Sequence, residues 1–243
     1  MPYFINKVKQ RIAYKTVKGR GPGIIFIHGL NSDMNGKKAL TIQKYAQKNK
    51  LNFVRFDCRG HGKSHGKFED FTISDWKKDL CNIIDNLTKG PQILIGSSMG
   101  GWLMMLAARA RPNKIQAMIG LAAAPDFGNE LYQNLSIKKK KEIQNKGITK
   151  YSSFGLSYYI RKNFFLDAKK NNILNKPFKY NKKLILIQGL KDEVVSSRVP
   201  KKILNIVTTN NAQIIFLKNS DHRLSNINDL KTIKLAIDSV RSN

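Results

Sequence analysis

Short apolar runs alternate with longer amphipathic stretches along most of this chain. The apolar runs Gly23 to Ile27, Phe53 to Cys58, Gln92 to Ile95, Ala117 to Ala122, Lys183 to Ile187 and Ala212 to Leu217 have the length and β-branched content of buried strands. Helical spacing of apolar positions predicts helices near 36–49, 74–88, 99–110, 197–207 and 226–241. A β segment from Phe4 to Val17 precedes the first core strand. Strands that alternate with helices in this way give an α/β domain. Its central sheet is expected to be mostly parallel, with helices on both faces. Ligands bind such sheets at the carboxyl ends of the strands. No repeat or linker divides the 243 residues, so one domain is expected over 1–243.

The alternation fails once. From Gly128 to Lys182 some 55 residues separate two core strands, too many for a simple crossover. Its Asn129 to Lys146 portion reads helical, and it carries Tyr132, Leu135, Tyr151, Phe154, Leu156, Tyr158, Tyr159, Phe164 and Phe165. This insertion, approximately 128–182, is expected to form a cap with an apolar wall over a site.

The chemistry concentrates where a strand is followed at once by a helix. Gly96-Ser97-Ser98-Met99-Gly100 fits the G-x-S-x-G turn, which lifts a serine oxygen clear of the backbone. The glycines let the strand and helix approach closely. Alone the pattern is weak; the apolar run before it and the helix formers Gly101 to Ala110 after it supply the context. A serine hydroxyl needs a base, and a base needs an orienting acid. Asp192 follows one downstream strand and His222 follows the next, giving the order Ser98, Asp192, His222. Asp126, after the strand Ala117 to Ala122, is a rival for the acid. Glu193 and Asp221 adjoin better-placed residues and read as solvated or capping carboxylates. His28, His61 and His65 are the other histidines, and neither His28 nor His61 stands where the proton shuttle belongs. Backbone N–H groups of Leu30 and Met99 are the expected oxyanion donors, a placement inferred from topology.

On these residues the chain resembles the α/β-hydrolase family over nearly its whole length. Ser32 to Ala39, Arg55-Phe56-Asp57, Gly60 to Ser64, Gly90 to Met104 and Ser220 to Arg223 bring it near one branch. That branch holds mitochondrial palmitoyl-protein thioesterases, also described as acyl-glucuronide esterases, and bacterial relatives. The resemblance implies the same triad, Ser98, Asp192 and His222, and a small-molecule substrate with an acyl ester or thioester bond. It departs at His28-Gly29, where the branch often has Pro-Gly.

Composition adds one unusual feature. Against 16 acidic residues stand 44 lysines and arginines, a net charge of +28. Such a balance raises nucleic acid or an anionic membrane as a partner. Lysine outnumbers arginine 34 to 10 and is spread along the whole chain, so a lysine-rich proteome explains it better and no specific nucleic acid is expected. The segment 128–183 is denser, with 14 basic and 3 acidic residues, including the run Lys138 to Lys141. That density suggests steering of anionic substrates or acyl carriers. Cys58 and Cys81 are too few for a disulfide framework, and neither is the expected nucleophile. No metal-ligand spacing or phosphate-cradling glycine motif occurs, and the mechanism calls for no cofactor. With no apolar leader and no run approaching 18 apolar residues, a soluble, cytoplasmic protein without a membrane span is expected. The sequence leaves oligomeric state open. It also leaves open a carbon–carbon or amide hydrolase, or a non-catalytic basic binding module, on the same fold.

Overall fold

The computed structural model describes residues 1–153 and 156–241. Its strands are β1 (Tyr3–Ile5), β2 (Arg11–Val17), β3 (Arg20–Ile27), β4 (Leu51–Phe56), β5 (Gln92–Ser97), β6 (Ile115–Leu121), β7 (Ile148–Ser153), β8 (Leu156–Arg161), β9 (Lys183–Gly189) and β10 (Ala212–Leu217). The helices are α1 (Lys37–Lys48), α2 (Ile73–Leu87), α3 (Met99–Ala110), α4 (Phe127–Gln133), α5 (Ile137–Lys146), α6 (Lys162–Lys170), α7 (Arg198–Ile206) and α8 (Ile227–Arg241). Eight strands form one sheet in the order β1-β2-β4-β3-β5-β6-β9-β10. From β4 to β10 every pairing is parallel, whereas β1 and β2 add an antiparallel edge.

Alternation within the strands builds two apolar layers. Ile93 and Ile95 of β5 pack with Ile24 and Phe26 of β3 against Ala39, Ile42 and Ala46 of α1 and Ile233 and Ile237 of α8. Leu94 of β5 and Ile25 and Ile27 of β3 face the other layer, with Trp76 and Leu80 of α2 and Trp102 and Met105 of α3. Both faces of the sheet are therefore covered, which is why its strands read as unbroken apolar runs. The helices keep one apolar stripe each at three- and four-residue spacing. At the start of α2, Asp75 accepts hydrogen bonds from the N–H and the hydroxyl of Thr72, satisfying the helix entrance. Cys58 and Cys81 are both buried free thiols.

Between β6 and β9 the chain leaves the sheet and builds α4, α5, the antiparallel pair β7–β8 and α6. The helical stretch expected over 129–146 is interrupted, because α4 ends at Gln133 and Ser136 caps the separate helix α5. The β7–β8 hairpin was not expected from the sequence. Its pairing sets Tyr151 opposite Tyr158, so the aromatic spacing that suggested a wall also serves as a cross-strand contact. Phe154 and the side chain of Leu156, both expected in the wall, lie outside the described residues. Asp167 of α6 accepts from the N–H and hydroxyl of Ser74, and Trp102 Nε1 donates to the carbonyl of Asn171. These bonds tie the insert to α2 and α3 beneath it.

Candidate active site

Ser98 stands between the end of β5 and the start of α3, at φ 53° and ψ −118°. A non-glycine residue held there stores backbone strain, and the surroundings must over-determine it. They do. Its N–H donates to the carbonyl of Leu121 at 2.9 Å, and its carbonyl accepts from Gly101 at 2.9 Å and Ala124 at 3.1 Å. A Cβ on Gly96 would meet the carbonyl oxygen of Gly100 at 2.3 Å, and one on Gly100 would meet that of Ile27 at 2.3 Å. Strand and helix come together only because both positions lack a side chain.

The structure brings Ser98, His222 and Asp192 into one hydrogen-bonded chain. His222 Nε2 lies 3.1 Å from Ser98 Oγ, and His222 Nδ1 lies 2.9 Å from Asp192 Oδ2. Asp192 follows β9 and His222 follows β10, so two parallel neighbours deliver both groups to the same end of the sheet. The Asp192 side chain is fully buried in the protein. Burial alone would push its carboxyl pKa up. Hydrogen bonds from His222 and from the N–H groups of Val195 and Val194 outweigh that and hold it below the usual value. Gln188 Nε2 donates to the same Oδ2 at 2.8 Å. Sequence reasoning missed Gln188: it occupies an ordinary strand position, and only the fold turns its amide toward Asp192. Lys38 of α1 was also missed; its ammonium donates to the carbonyl of Arg223, tying α1 to the loop that carries His222.

The turn after β3 runs beside the serine. A Cβ on Gly29 would lie 3.3 Å from Ser98 Cβ, and Leu30 follows directly. His28 fixes this turn: its Nδ1 donates to the carbonyl of Gly29 at 2.7 Å and its Nε2 accepts from the Cys58 N–H at 3.0 Å. That pattern requires the neutral imidazole, and burial lowers the His28 pKa accordingly. Met99 is the first residue of α3, so its N–H has no acceptor within the helix. His61 packs among His28, Phe68 and Trp76, where burial lowers its pKa to about 3. Its Nε2 has no partner among the described residues.

The remaining charged candidates do other work. Asp126 accepts from the N–H groups of Ile173 and Leu174 at 2.8–3.0 Å and so anchors the returning end of the insert. Asp221 caps its own turn by accepting from the Arg223 N–H. Lys138 to Lys141 lie in α5 and line neither cleft at Ser98. Two of them brace the insert: Lys139 sits 5.6 Å from the Tyr151 ring centre, and Lys140 donates to the carbonyl of Gln133.

Two clefts open from the serine and share Leu30, Ser98, Val194 and His222. One, of about 290 Å³, runs under the insert between Phe127, Leu131, Tyr151 and Tyr158. The other, of about 460 Å³, is lined by Lys38, Lys191, Glu193, Asp221 and Arg223. Apolar and charged sides thus meet at one hydroxyl. Among the described residues no cluster of potential metal ligands occurs.

A parallel sheet flanked by helices, with a strained serine at the carboxyl end of its central strand, defines the class of α/β hydrolases. The chain belongs to that family: the model described as alpha/beta hydrolase fold matches residues 22–146. It is 40% identical over 242 residues to the human palmitoyl-protein thioesterase ABHD10, mitochondrial, covering 98% of this chain and 79% of that protein. The bovine protein of the same name is 40% identical over 233 residues, 94% of this chain and 76% of its own. Among solved structures, mouse alpha/beta hydrolase domain-containing protein 10 superposes with a TM-score of 0.91 at 35% identity, covering 98% of this chain and 97% of its own. These relatives overturn the cytoplasmic placement expected from the sequence, since their names place them in mitochondria. Among the described residues no helix is long and apolar enough to cross a membrane.

Proposed function

We propose that the chain hydrolyses acyl esters or acyl thioesters through a covalent intermediate on Ser98. The observation that carries this reading is the hydrogen-bonded chain from Ser98 Oγ through His222 to Asp192. His222 Nε2 takes the hydroxyl proton as the serine oxygen bonds to the substrate carbonyl carbon. Asp192 holds the ring by Nδ1–H, fixing the tautomer that leaves Nε2 free, and stabilises the imidazolium that forms. The N–H groups of Met99 and Leu30 receive the charge that develops on the carbonyl oxygen. Collapse of the tetrahedral adduct breaks the bond to the leaving oxygen or sulfur, which departs with the proton from His222. Water then attacks the acyl-enzyme with His222 again as base, releasing the acid and restoring the serine.

The insert over residues 128–182 acts as a cap on the same domain, covering the acyl side of the site. The acyl group occupies the apolar cleft, and the leaving group the charged one. The names of the mammalian relatives specify a palmitoyl-protein thioester, and an acyl thioester is the bond class this site fits. The test is turnover of p-nitrophenyl esters and acyl-cysteamine thioesters by wild type and Ser98→Ala. Loss of about a thousandfold or more in the variant, with its fold intact, is the expected result. Turnover that survives Ser98→Ala would overturn the assignment.

A further inference from the structure

Gly29 gives the turn after β3 its closeness to the serine and, with it, a freedom that must be removed. A Cβ there would lie 3.3 Å from Ser98 Cβ and 3.4 Å from the Ser97 carbonyl oxygen, crowding the nucleophile. Without a Cβ, Gly29 leaves its own ψ loosely restrained, so the peptide that joins it to Leu30 is free to swing. A trans peptide is planar, and its C=O and N–H point in opposite directions. Whatever holds the Gly29 carbonyl therefore aims the Leu30 N–H.

Two donors hold that carbonyl. His28 Nδ1 donates to it at 2.7 Å and the Ser32 N–H at 3.3 Å, so the imidazole makes the closer contact. The ring is itself held. Its Nε2 accepts from the Cys58 N–H at 3.0 Å, and the His61 ring packs 4.9 Å from it, centre to centre. Cys58 follows β4, the parallel neighbour of β3, so the grip is rooted in the sheet. At the other end of the peptide, the Leu30 N–H has no acceptor among the described residues. Leu30 lines both clefts that open from Ser98.

Resting on the acyl-hydrolase reading above, we infer that His28 is a positioning residue for the oxyanion site: its Nδ1–H, by pinning the Gly29 carbonyl, aims the Leu30 N–H at the substrate carbonyl oxygen. The two ring nitrogens divide the work. Nδ1 serves catalysis, whereas Nε2 anchors the ring and satisfies the buried Cys58 N–H. A hydrogen bond weakens as its donor swings out of line. The loss is felt most where negative charge has developed, so the device acts on the transition state more than on bound substrate.

The experiment separates the two nitrogens. Asparagine sets an amide N–H near the place of Nδ1, and glutamine sets an amide oxygen near that of Nε2. His28→Asn and His28→Gln are compared with wild type for kcat and KM on one acyl thioester. Both are also tested for inhibition by an acyl trifluoromethyl ketone, which adds to a serine as a tetrahedral oxyanion. Removing a whole oxyanion donor costs about 10²–10³ in kcat, so His28→Gln is expected to lose about 10- to 100-fold. Its KM stays within about twofold of wild type, and the inhibitor weakens by a factor similar to the loss in kcat. His28→Asn keeps kcat within about threefold of wild type and loses melting temperature instead, because the Cys58 N–H is left unpaired. A folded His28→Gln with the kcat of wild type overturns the inference, as does an equal loss of kcat in both variants. If His28→Gln fails to fold, His28→Asn decides: a loss of about 10-fold or more there overturns the inference. Failure of the underlying reading looks different, since Ser98→Ala would then hydrolyse the thioester as wild type does.

Discussion

Gln188 and His222 donate hydrogen bonds to the same oxygen of Asp192, at 2.8 Å and 2.9 Å. The N–H groups of Val194 and Val195 hold the other oxygen, so both ends of the carboxylate are fixed. Hydrogen bonds to a charged group contribute about 1.5–3 kcal/mol. Gln188→Leu is expected to lower kcat by about tenfold with KM little changed, for a loss near 1.4 kcal/mol. The Asp192 carboxyl also loses a donor that favours its charged form, so its pKa rises. A kcat identical to wild type would show that Gln188 only packs.

Two carboxylates compete for the role of orienting acid, and substitution separates them. Asp192→Asn should reduce kcat by about 10³–10⁴-fold by favouring the wrong tautomer of His222. Asp126→Asn should leave kcat within a few-fold and instead cost about 1–3 kcal/mol of stability, because it weakens the bonds to Ile173 and Leu174. Urea denaturation and steady-state kinetics on both variants check this. A large kcat loss confined to Asp126→Asn would reverse the roles.

The strain at Ser98 sets activity against stability. At φ 53° and ψ −118° glycine is far less penalised than a residue with a Cβ. Ser98→Gly is expected to be inactive yet more stable than Ser98→Ala by about 1 kcal/mol. Thermal unfolding of the two inactive variants, side by side, gives the difference. Equal melting temperatures would mean the turn carries no strain.

His61 predicts an acid-sensitive fold. In the unfolded chain its imidazole binds a proton below about pH 6.5, whereas in the folded protein it stays neutral down to about pH 3. The stability associated with neutral burial is therefore complete above pH 6.5 and falls as pH drops toward 3, by up to ~1.4 kcal/mol per pH unit. His61→Phe removes this dependence and the unpartnered Nε2 while keeping an aromatic ring beside Phe68 and Trp76. Its stability relative to wild type should improve between pH 7.5 and pH 5. A constant difference across that range would exclude His61 as the titrating group.

The sheet was legible because its strands are buried on both faces. Ile93, Leu94 and Ile95 leave no polar phase to confuse the reading, and Ser98 follows them between two glycines where the strand passes at once into a helix. Asp192 and His222 were legible for the same reason: each comes just after a recognisable strand. The insert was less so. Ile148 to Arg161 contains three serines, one lysine and three tyrosines, and its strand character comes from pairing with itself. Gln188 and Lys38 carry no local signal, because their partners lie across loops whose path only the folded chain defines. Location was misread from an absence of targeting features, which is weaker evidence than the names of relatives 40% identical.

The strand order has a consequence for how this molecule fails when heated. Ser98 leaves β5, with strands on either side, but His222 hangs from β10, the last strand of the sheet, only partly buried along its length. Outer strands open at lower free energy than central ones. His222 is thus mounted at an edge of the sheet, which opens readily, and Ser98 in its interior, which opens last. Catalysis should fade at temperatures where the bulk of the secondary structure is still present, and cooling should restore it. The working range of the protein is set at its rim.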